Sequence, residues 1–295
     1  MSTELSNTKN VSYLLPSIEV DMGGFPVKQP LPTQKVDQVD PFLLLHHAKT
    51  KYSKNRPAKL QGIGPHPHRG FSPVTFVIDG EIHHRDSRGN DQIAKEGEVQ
   101  WMHAGAGIVH SERPSEGMVS RSEQQEIIQL WINSPAKKKM LEPNYQFISN
   151  EQIPLVHSED KKIKNKIIAG SYLDTKGLAK TQSDLLIIWG ESVKNGSHTY
   201  IVPENYNSMF YLIRGSMKLQ GYGLVEKEHL VVFELGGTKI PVSFDEDSKF
   251  LLLCGTPIDE EVTHYGPFVM NTQTEILEAM RDYQVGKMGI LIEHS

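Results

Sequence analysis

Cysteine is nearly absent from this sequence, because Cys254 is the only one among 295 residues. A single thiol cannot form an internal disulfide, which excludes the disulfide-rich scaffolds of small secreted proteins and fits a reducing compartment. Cys254 ends an apolar run at 250–254. We therefore interpret it as a buried, small hydrophobic side chain and not as a reactive thiol.

Long apolar runs are absent as well. No run approaches the roughly 18–20 residues that are needed to cross a bilayer. Residues 1–10 are polar and do not contain the apolar core of a secretory signal. The sequence therefore predicts a soluble, cytoplasmic protein that does not bind membranes.

An excess of positive charge is also missing. The 31 Lys and Arg residues are outnumbered by 36 Asp and Glu, which gives a net charge of −5. Direct nucleic-acid binding is not expected, because it requires a basic surface. The segment 105–107 is Gly-Ala-Gly without the third glycine of a dinucleotide fingerprint, and no P-loop is present. We interpret the lysine run at 137–139 as a solvated charge cluster.

The apolar residues that are present occur in short runs rich in β-branched and aromatic side chains, and turn residues bound most of them. These runs are 71–78, 99–102, 127–132, 185–189, 209–213, 230–235 and 249–254. They predict an all-β chain with antiparallel sheets in a sandwich or barrel. One exception lies near the end, where Thr272 and Glu275 form a capping-box pattern, and we expect a short packing helix over 272–283.

A faint internal repeat divides the chain. Residues 76–81 resemble 211–216, since in both an apolar strand enters a glycine turn, and 98–102 resemble 229–233. Such self-similarity indicates two copies of one β-domain, and 295 residues are ample for two. We predict domains at 1–150 and 151–295, with the boundary in the polar stretch 149–165.

Two short motifs carry the chemistry. His66 and His68 flank Pro67, and His110 lies two residues before Glu112. Side chains two residues apart on a strand point to the same face. If the two segments are neighbours in one sheet, three imidazoles and one carboxylate converge on a point. This set suits a divalent transition metal such as iron and leaves coordination positions open. Because Pro67 lacks a backbone donor, its segment should be an edge, a bulge or a strand start.

The other histidines do not form such pairs. His46 with His47 and His83 with His84 are adjacent in sequence, so on a strand they point to opposite faces and make poor chelates. His103 has no partner two residues away, and we interpret it as supporting or structural, not as a ligand. The histidines of the second half likewise lack a ligand-bearing neighbour at that spacing. One metal site, in the first half, is therefore expected.

These motifs resemble the pirin family of the cupin superfamily. The matching segments are His-Pro-His-Arg-Gly-Phe at 66–71, His-Arg-Asp-Ser at 84–87 and the run 101–112, with weaker matches at 40–45, 130–133 and 266–272. The resemblance implies two tandem cupin β-barrels, each a double-stranded β-helix or jelly roll, with iron in the first. The ligands that carry over from the family are His66, His68, His110 and Glu112.

Three residues depart from the family pattern. Ser72 stands where most members have a glutamate, His103 replaces a small polar residue, and His46 stands where an acidic residue is common. Because Glu112 supplies the carboxylate, these changes alter the surroundings of the site and the choice of substrate but not the ligand set.

The resemblance implies an Fe(II) dioxygenase of quercetin 2,3-dioxygenase type, which acts on a flavonol-like substrate and O₂. In this hypothesis Glu112 is both a ligand and the catalytic acceptor of a substrate hydroxyl proton. Zn, Ni, Cu or Mn could substitute for iron, because the ligand set alone does not select the metal. The alternative is an iron-dependent, redox-sensing regulatory protein that binds a transcription factor or a metabolic enzyme. A third interpretation, a purely structural metal, conflicts with the open coordination positions. A monomer is expected.

Overall fold

The computed structural model describes residues 7–22, 24–121 and 123–293, and most of them lie in strands. The strands of the first half are β1 (Val11–Pro16), β2 (Ile18–Asp21), β3 (Pro26–Leu31), β4 (Phe42–Lys51), β5 (Ile63–His68), β6 (Phe71–Asp79), β7 (Glu81–Asp86), β8 (Asp91–Lys95), β9 (Val99–His103), β10 (Ile108–Arg113), β11 (Gln124–Asn133) and β12 (Asn144–Ile148). Two short helices, α1 (Glu116–Arg121) and α2 (Ala136–Lys139), interrupt them.

The second half has the same character. Its strands are β13 (Leu155–His157), β14 (Ile163–Ala169), β15 (Ser171–Tyr172), β16 (Thr175–Lys176), β17 (Leu185–Ser192), β18 (Ser197–Ile201), β19 (Asn207–Arg214), β20 (Ser216–Leu219), β21 (Gly223–Glu226), β22 (His229–Phe233), β23 (Lys239–Phe244), β24 (Ser248–Gly255), β25 (Thr263–Tyr265) and β26 (Phe268–Met270). Helix α3 (Gln273–Gln284) follows, and its N-cap Thr272 forms the predicted capping box with Glu275.

The sheets repeat one strand order, which confirms the internal repeat. A seven-stranded sheet has the order β12-β9-β6-β11-β4-β3-β2, and a four-stranded sheet has the order β5-β10-β7-β8. In the second half the corresponding orders are β1-β22-β19-β24-β17-β14-β13 and β18-β23-β20-β21. The glycine turns that marked the repeat join β6 to β7 and β19 to β20, where Gly80 and Gly215 have φ of 79° and 85°. A side chain is strained at such a positive φ.

By the proximity of their Cα atoms, the described residues fall into two compact units, and neither is continuous in sequence. The N-terminal unit draws on Val20–Val27, Phe42–Glu151 and Asp259–Ser295, and the C-terminal unit draws on Met1–Glu19, Lys28–Pro41 and Gln152–Ile258. Strand β1, for example, pairs with β22. In these units each terminal segment of the chain belongs with the opposite half. The predicted domain division at 1–150 and 151–295 does not include this exchange, and it remains a prediction. Strands β13 and β14 begin at residues 155 and 163, inside the stretch 149–165. This stretch is therefore not a linker throughout.

The interior of the C-terminal unit is filled with apolar side chains. The rings of Phe210 and Phe244 stack on Phe250 at centroid distances of 4.7 and 5.1 Å, and Tyr200 packs against the same ring. Cys254 belongs to this buried cluster. Burial raises the pKa of its thiol to about 12, which confirms the interpretation as an unreactive core residue.

Strands β18 and β23 occupy the places in this unit that β5 and β10 occupy in the N-terminal unit. On them, His198 lies opposite Val242 and Tyr200 lies opposite Ile240. Side chains of the apolar core therefore stand where the N-terminal unit carries its second ligand pair. No helix among the described residues is long and apolar enough to cross a membrane.

Candidate metal centre

The two strands that carry the predicted ligands lie side by side. β5 and β10 are antiparallel neighbours, with His66 opposite His110 and His68 opposite Ile108. β5 forms the edge of its sheet, and its register with β10 shifts by a bulge next to this pair. The prediction from Pro67 is confirmed, since bulges and edges are where proline is tolerated and where side chains are re-aimed.

Three imidazoles converge at this place. Each of His66, His68 and His110 offers a ring nitrogen, and these atoms lie within 4.8 Å of one another. The ring centroids are 4.3 to 4.9 Å apart. His68 and His110 are only 3% and 2% exposed. The structure therefore brings together three of the four predicted ligands.

Glu112 lies on the same strand but is not a member of this group of mutually close atoms. Its carboxylate is buried, and it accepts hydrogen bonds from Thr75 Oγ1 at 3.1 Å and from Gln129 Nε2 at 2.8 Å. Each carboxylate oxygen retains a further lone pair. Glu112 can thus still reach a cation or a proton, and its role as the fourth ligand remains a prediction.

The hydrogen bonds of His66 and His68 determine where their protons are. His66 Nδ1 lies 2.8 Å from the Gly64 carbonyl oxygen, and His68 Nδ1 lies 3.3 Å from that of Pro267. A carbonyl can only accept, so both Nδ1 atoms carry the proton and both Nε2 atoms present a bare lone pair in the neutral rings. The two Nε2 atoms face each other at 3.1 Å. Two lone pairs at that distance repel unless a cation or a proton lies between them.

His110 presents a lone pair to the same place. Its Nδ1 lies 3.4 Å from Nδ1 of His84, and its Nε2 is buried with no hydrogen-bond partner in the part of the chain that the structure describes. An orphaned buried acceptor is costly, and a metal ion would satisfy it. Burial, together with neighbouring imidazoles, holds the pKa values of His68 and His110 well below the usual range. Neutral imidazoles are the form that binds metals, so the three residues fit a divalent ion.

A cavity adjoins the predicted carboxylate ligand. Most of its lining is apolar, and its polar members are His46, Thr50, Tyr52, Glu112, Gln125 and Gln129. Because Glu112 lines this cavity, a small molecule in the cavity could reach its carboxylate. Apolar walls with a few polar groups are typical of small-molecule sites.

The C-terminal segment supports the metal-bearing strands. Arg69, next to His68, donates to the Ala106 carbonyl oxygen at 2.7 Å and to Asp282 of α3 at 3.1 Å. Arg113, next to Glu112, forms a forked ion pair with Glu293, with Nη2 to Oε2 at 2.7 Å. Helix α3 and the residues after it therefore fix the chain beside two predicted ligands. Sequence patterns do not indicate these contacts, because the partners are far apart along the chain.

Lys139 contradicts the interpretation of residues 137–139 as a solvated cluster. Its side chain is buried, and its Nζ donates to Asn133 Oδ1 at 2.6 Å and to the carbonyl oxygens of Gly70 and Val269 at 2.8 and 3.1 Å. Burial lowers its pKa to about 8. The ammonium group joins the residue after Arg69 to the C-terminal segment, which is a structural role.

The remaining histidines separate as their spacing predicts. His46 lines the cavity, whereas His47 lies 2.8 Å from Glu126 Oε1 on the other face of β4. His103 is outside the group of three and its Nδ1 lies 3.3 Å from Ser72 Oγ. Ser72 and His103, two of the three residues that depart from the family pattern, are thus neighbours in space. His84, however, contacts His110, which its adjacency to His83 does not indicate.

Acid should destabilise the protein through His46. Burial lowers its pKa from 6.5 to about 4, so between these values the unfolded chain binds a proton that the folded chain does not. The unfolding free energy is therefore expected to fall as the pH drops from 6.5 to 4, by up to about 3 kcal/mol from this residue. Urea unfolding of the metal-free protein at pH 7 and pH 5 measures the loss. His46→Gln should reduce it, and the exposed control His157→Gln should not. Equal acid sensitivity in all three proteins would contradict the assignment.

Comparison with known proteins identifies the domains. Residues 24–132 match the Pirin family model, and residues 188–289 match that of the Pirin C-terminal cupin domain. Pirin-1 of Arabidopsis thaliana is 38% identical over 264 residues, which cover 86% of each chain. The predicted fold, an all-β chain of two cupin domains with a short C-terminal helix, is confirmed.

Two solved structures are informative. The crystal structure of a quercetin 2,3-dioxygenase from Acinetobacter baumannii is 36% identical, with a TM-score of 0.89, and the match covers 97% of this chain and all of that one. The bacterial pirin YhhW from Escherichia coli, in complex with nickel(II), is 19% identical with a TM-score of 0.66, and the match covers 83% of this chain and 99% of the other. At that identity the second similarity concerns the fold alone.

Proposed function

Because the chain belongs to the pirin family, we propose that it is a mononuclear non-haem iron protein that opens a flavonol-like substrate with O₂, as a quercetin 2,3-dioxygenase does. The observation that carries this proposal is the convergence of ring nitrogens from three histidines, with Glu112 of the same strand as His110 lining a mostly apolar cavity. We propose His66, His68, His110 and Glu112 as the ligands. Iron held by such a set would supply open coordination positions and one-electron redox chemistry.

The cavity walls, Glu112 and its hydrogen-bond partners have separate roles in this proposal. The apolar cavity walls exclude water and favour a flat aromatic ring. Glu112 is placed to accept the proton of a substrate hydroxyl, while Thr75 and Gln129 keep its carboxylate oriented by their hydrogen bonds. A deprotonated flavonol is the more easily oxidised form. In a dioxygenase reaction both atoms of one O₂ enter the products, so the substrate itself is the reductant and no external electron donor is needed.

Oxygen consumption tests the proposal. The protein is purified without oxygen, analysed for metals, loaded with Fe(II) and mixed with quercetin in an oxygen electrode. One O₂ consumed per quercetin lost, with no uptake for a flavone that lacks the 3-hydroxyl group, is the expected result. Parallel loading with Ni, Mn, Cu and Zn determines which metal supports the activity. If no metal supports uptake across a flavonol panel, the dioxygenase proposal is wrong and the regulatory alternative, which uses the same metal site, is favoured.

We also propose that the protein acts in the cytoplasm as a monomer. The buried single thiol of Cys254 fits a reducing compartment. Light scattering coupled to size-exclusion chromatography should give a mass near 33.2 kDa, and a dimer mass would contradict the monomer.

A further inference from the structure

We propose that His84 and Asp86 are positioning residues that hold the proton of His110 on Nδ1, so that Nε2 remains free for the metal. This inference rests on the proposed metal site but not on the proposed reaction. Neither residue belongs to the group of three histidines, and neither would touch the ion.

The three side chains form a continuous chain of contacts inside the N-terminal unit. Asp86 Oδ2 lies 3.0 Å from His84 Nε2, and His84 Nδ1 lies 3.4 Å from His110 Nδ1. All three side chains are at most 3% exposed. In β7, His84 and Asp86 are two residues apart, and this strand pairs with β10, which places Asp86 opposite His110. The same spacing that defines the ligand pairs therefore builds this second pair.

The directions of the hydrogen bonds from Asp86 to His110 follow from the chemistry of the Asp86 carboxylate. The carboxylate of Asp86 can only accept, so His84 Nε2 carries a proton and donates it. In the neutral ring His84 Nδ1 is then an acceptor, so the atom that faces it, His110 Nδ1, must donate. His110 Nε2 is left as a bare lone pair. This is the buried atom for which residues 7–22, 24–121 and 123–293 supply no hydrogen-bond partner.

Asp86 is fixed so that it cannot turn away. Its Oδ1 accepts from the backbone N–H groups of Arg88 at 2.9 Å and Asn90 at 3.1 Å, and its Oδ2 accepts from Asn90 Nδ2 at 2.7 Å. Burial alone would raise the pKa of this carboxyl, but the hydrogen bonds from His84 and Asn90 outweigh burial and lower the pKa. The carboxylate is therefore charged at neutral pH, and its negative charge strengthens the hydrogen bond that it accepts from His84.

The ring of His84 is held separately. It stacks on Tyr145 with a centroid distance of 4.3 Å and an interplanar angle of 15°. Because this contact fixes the plane of the ring, a phenyl ring could occupy the same place without offering a nitrogen to His110. The stacking contact thus allows the role of the ring nitrogen to be tested separately from the role of ring packing.

Asp86→Asn is the sharpest test, because the two backbone donors keep the amide oxygen at the Oδ1 position. The amide nitrogen then takes the place of Oδ2, with Asn90 turning its own amide oxygen towards it, and donates to His84 Nε2. This reverses the order of donors and places a proton on His110 Nε2. Metal affinity is expected to fall by roughly 10- to 100-fold, the usual cost of losing a partner of a metal-ligating histidine. The affinity is measured with Co(II) and with Fe(II) by competition against a chelator. The outcome is independent of any turnover of quercetin.

The proton positions can be read without metal. Long-range ¹H–¹⁵N NMR spectra of the metal-free protein should show His110 protonated on Nδ1 in the wild type and on Nε2 in Asp86→Asn. The matched control is Asp91→Asn. Asp91 also pairs with a histidine of β7, at 2.5 Å from Nε2 of His83, but it is solvent-exposed, and His83 is not part of the contacts that join Asp86 to His110. The control should retain both the affinity and the tautomer.

A second pair of variants distinguishes loss of the ring nitrogen of His84 from misfolding. His84→Phe keeps the ring contact with Tyr145 and removes the acceptor, so it should lose affinity, whereas His84→Gln can offer an amide oxygen to His110 and should recover part of it. Thermal unfolding of each metal-free variant verifies the fold. Wild-type affinity in both Asp86→Asn and His84→Phe, with His110 still protonated on Nδ1, would overturn the proposal.

Discussion

Replacement of His110 with alanine is expected to lower the affinity for a divalent ion by more than the roughly 100-fold that loss of a ligand's hydrogen-bond partner can cost. His110 contributes a buried Nε2 atom that has no hydrogen-bond partner among the described residues, and its ring centroid lies 4.3 and 4.9 Å from those of His66 and His68. Without it, only the His66 and His68 pair of β5 remains from the group. Elemental analysis after dialysis, and isothermal titration with Co(II), measure the loss.

A matched control is available on β9, which precedes β10 in sequence and belongs to the seven-stranded sheet. His103 is also a buried histidine, at 2% exposed, but it lies outside the group and contacts Ser72. His103→Ala removes the same number of atoms and should leave the metal content close to that of the wild type. If both variants lose the metal equally, the loss reflects disruption of the barrel, and the assignment of His110 as a ligand is not supported.

Glu112→Gln is expected to reduce turnover of a flavonol by roughly 10²- to 10⁴-fold, the contribution typical of a positioned general base. Glutamine has nearly the same shape as glutamate and keeps an oxygen that could reach the ion, but it cannot accept a proton at neutral pH. Iron content should therefore fall much less than turnover. Steady-state oxygen uptake and iron analysis on the same preparation measure the two effects.

The outcome distinguishes two roles for one carboxylate. If iron content and turnover fall by the same factor, Glu112 acts as a ligand only and the base role is refuted. Gln129→Leu is the companion variant, because it removes the 2.8 Å hydrogen bond to Glu112 Oε2 without changing the carboxylate. It should lower turnover less than Glu112→Gln does, since the proton acceptor is still present.

The geometry of the ligand pairs could be predicted from the sequence because it depends on local rules. Side chains two residues apart on a strand point to the same face, and Pro67 restricts its strand to an edge or a bulge. The capping box at Thr272 and the glycine turn at Gly80 are equally local. For the same reason the histidine group was predictable once β5 and β10 were assumed to be neighbours.

The contacts that hold the site were not predictable, because they join residues remote in sequence. His68 bonds to the carbonyl of Pro267, and Arg113 pairs with Glu293 across 180 positions. Lys139 lies in a run that resembles a surface cluster, and only the tertiary fold buries it. The adjacency of His84 to His83 predicts a poor chelate, and it does not indicate the contact of His84 with Asp86, two residues away, or with His110.

The position of Glu112 also limits what the strand pattern could establish. Its spacing from His110 places both on one face, but the bulge between β5 and β10 shifts the register beyond His110. The carboxylate contacts Thr75 and Gln129 and lines the cavity, and it is not a member of the group of mutually close ring nitrogens. Alternation along a single strand cannot reveal a bulge in its neighbour.

The most direct measurement of the central claim is a crystal structure of the iron-loaded protein, with anomalous diffraction recorded on both sides of the iron absorption edge. The account predicts one strong anomalous peak in the N-terminal unit, within coordination distance of the Nε2 atoms of His66, His68 and His110. A fully loaded crystal with no peak there, or with its iron at a different set of side chains, would contradict the account.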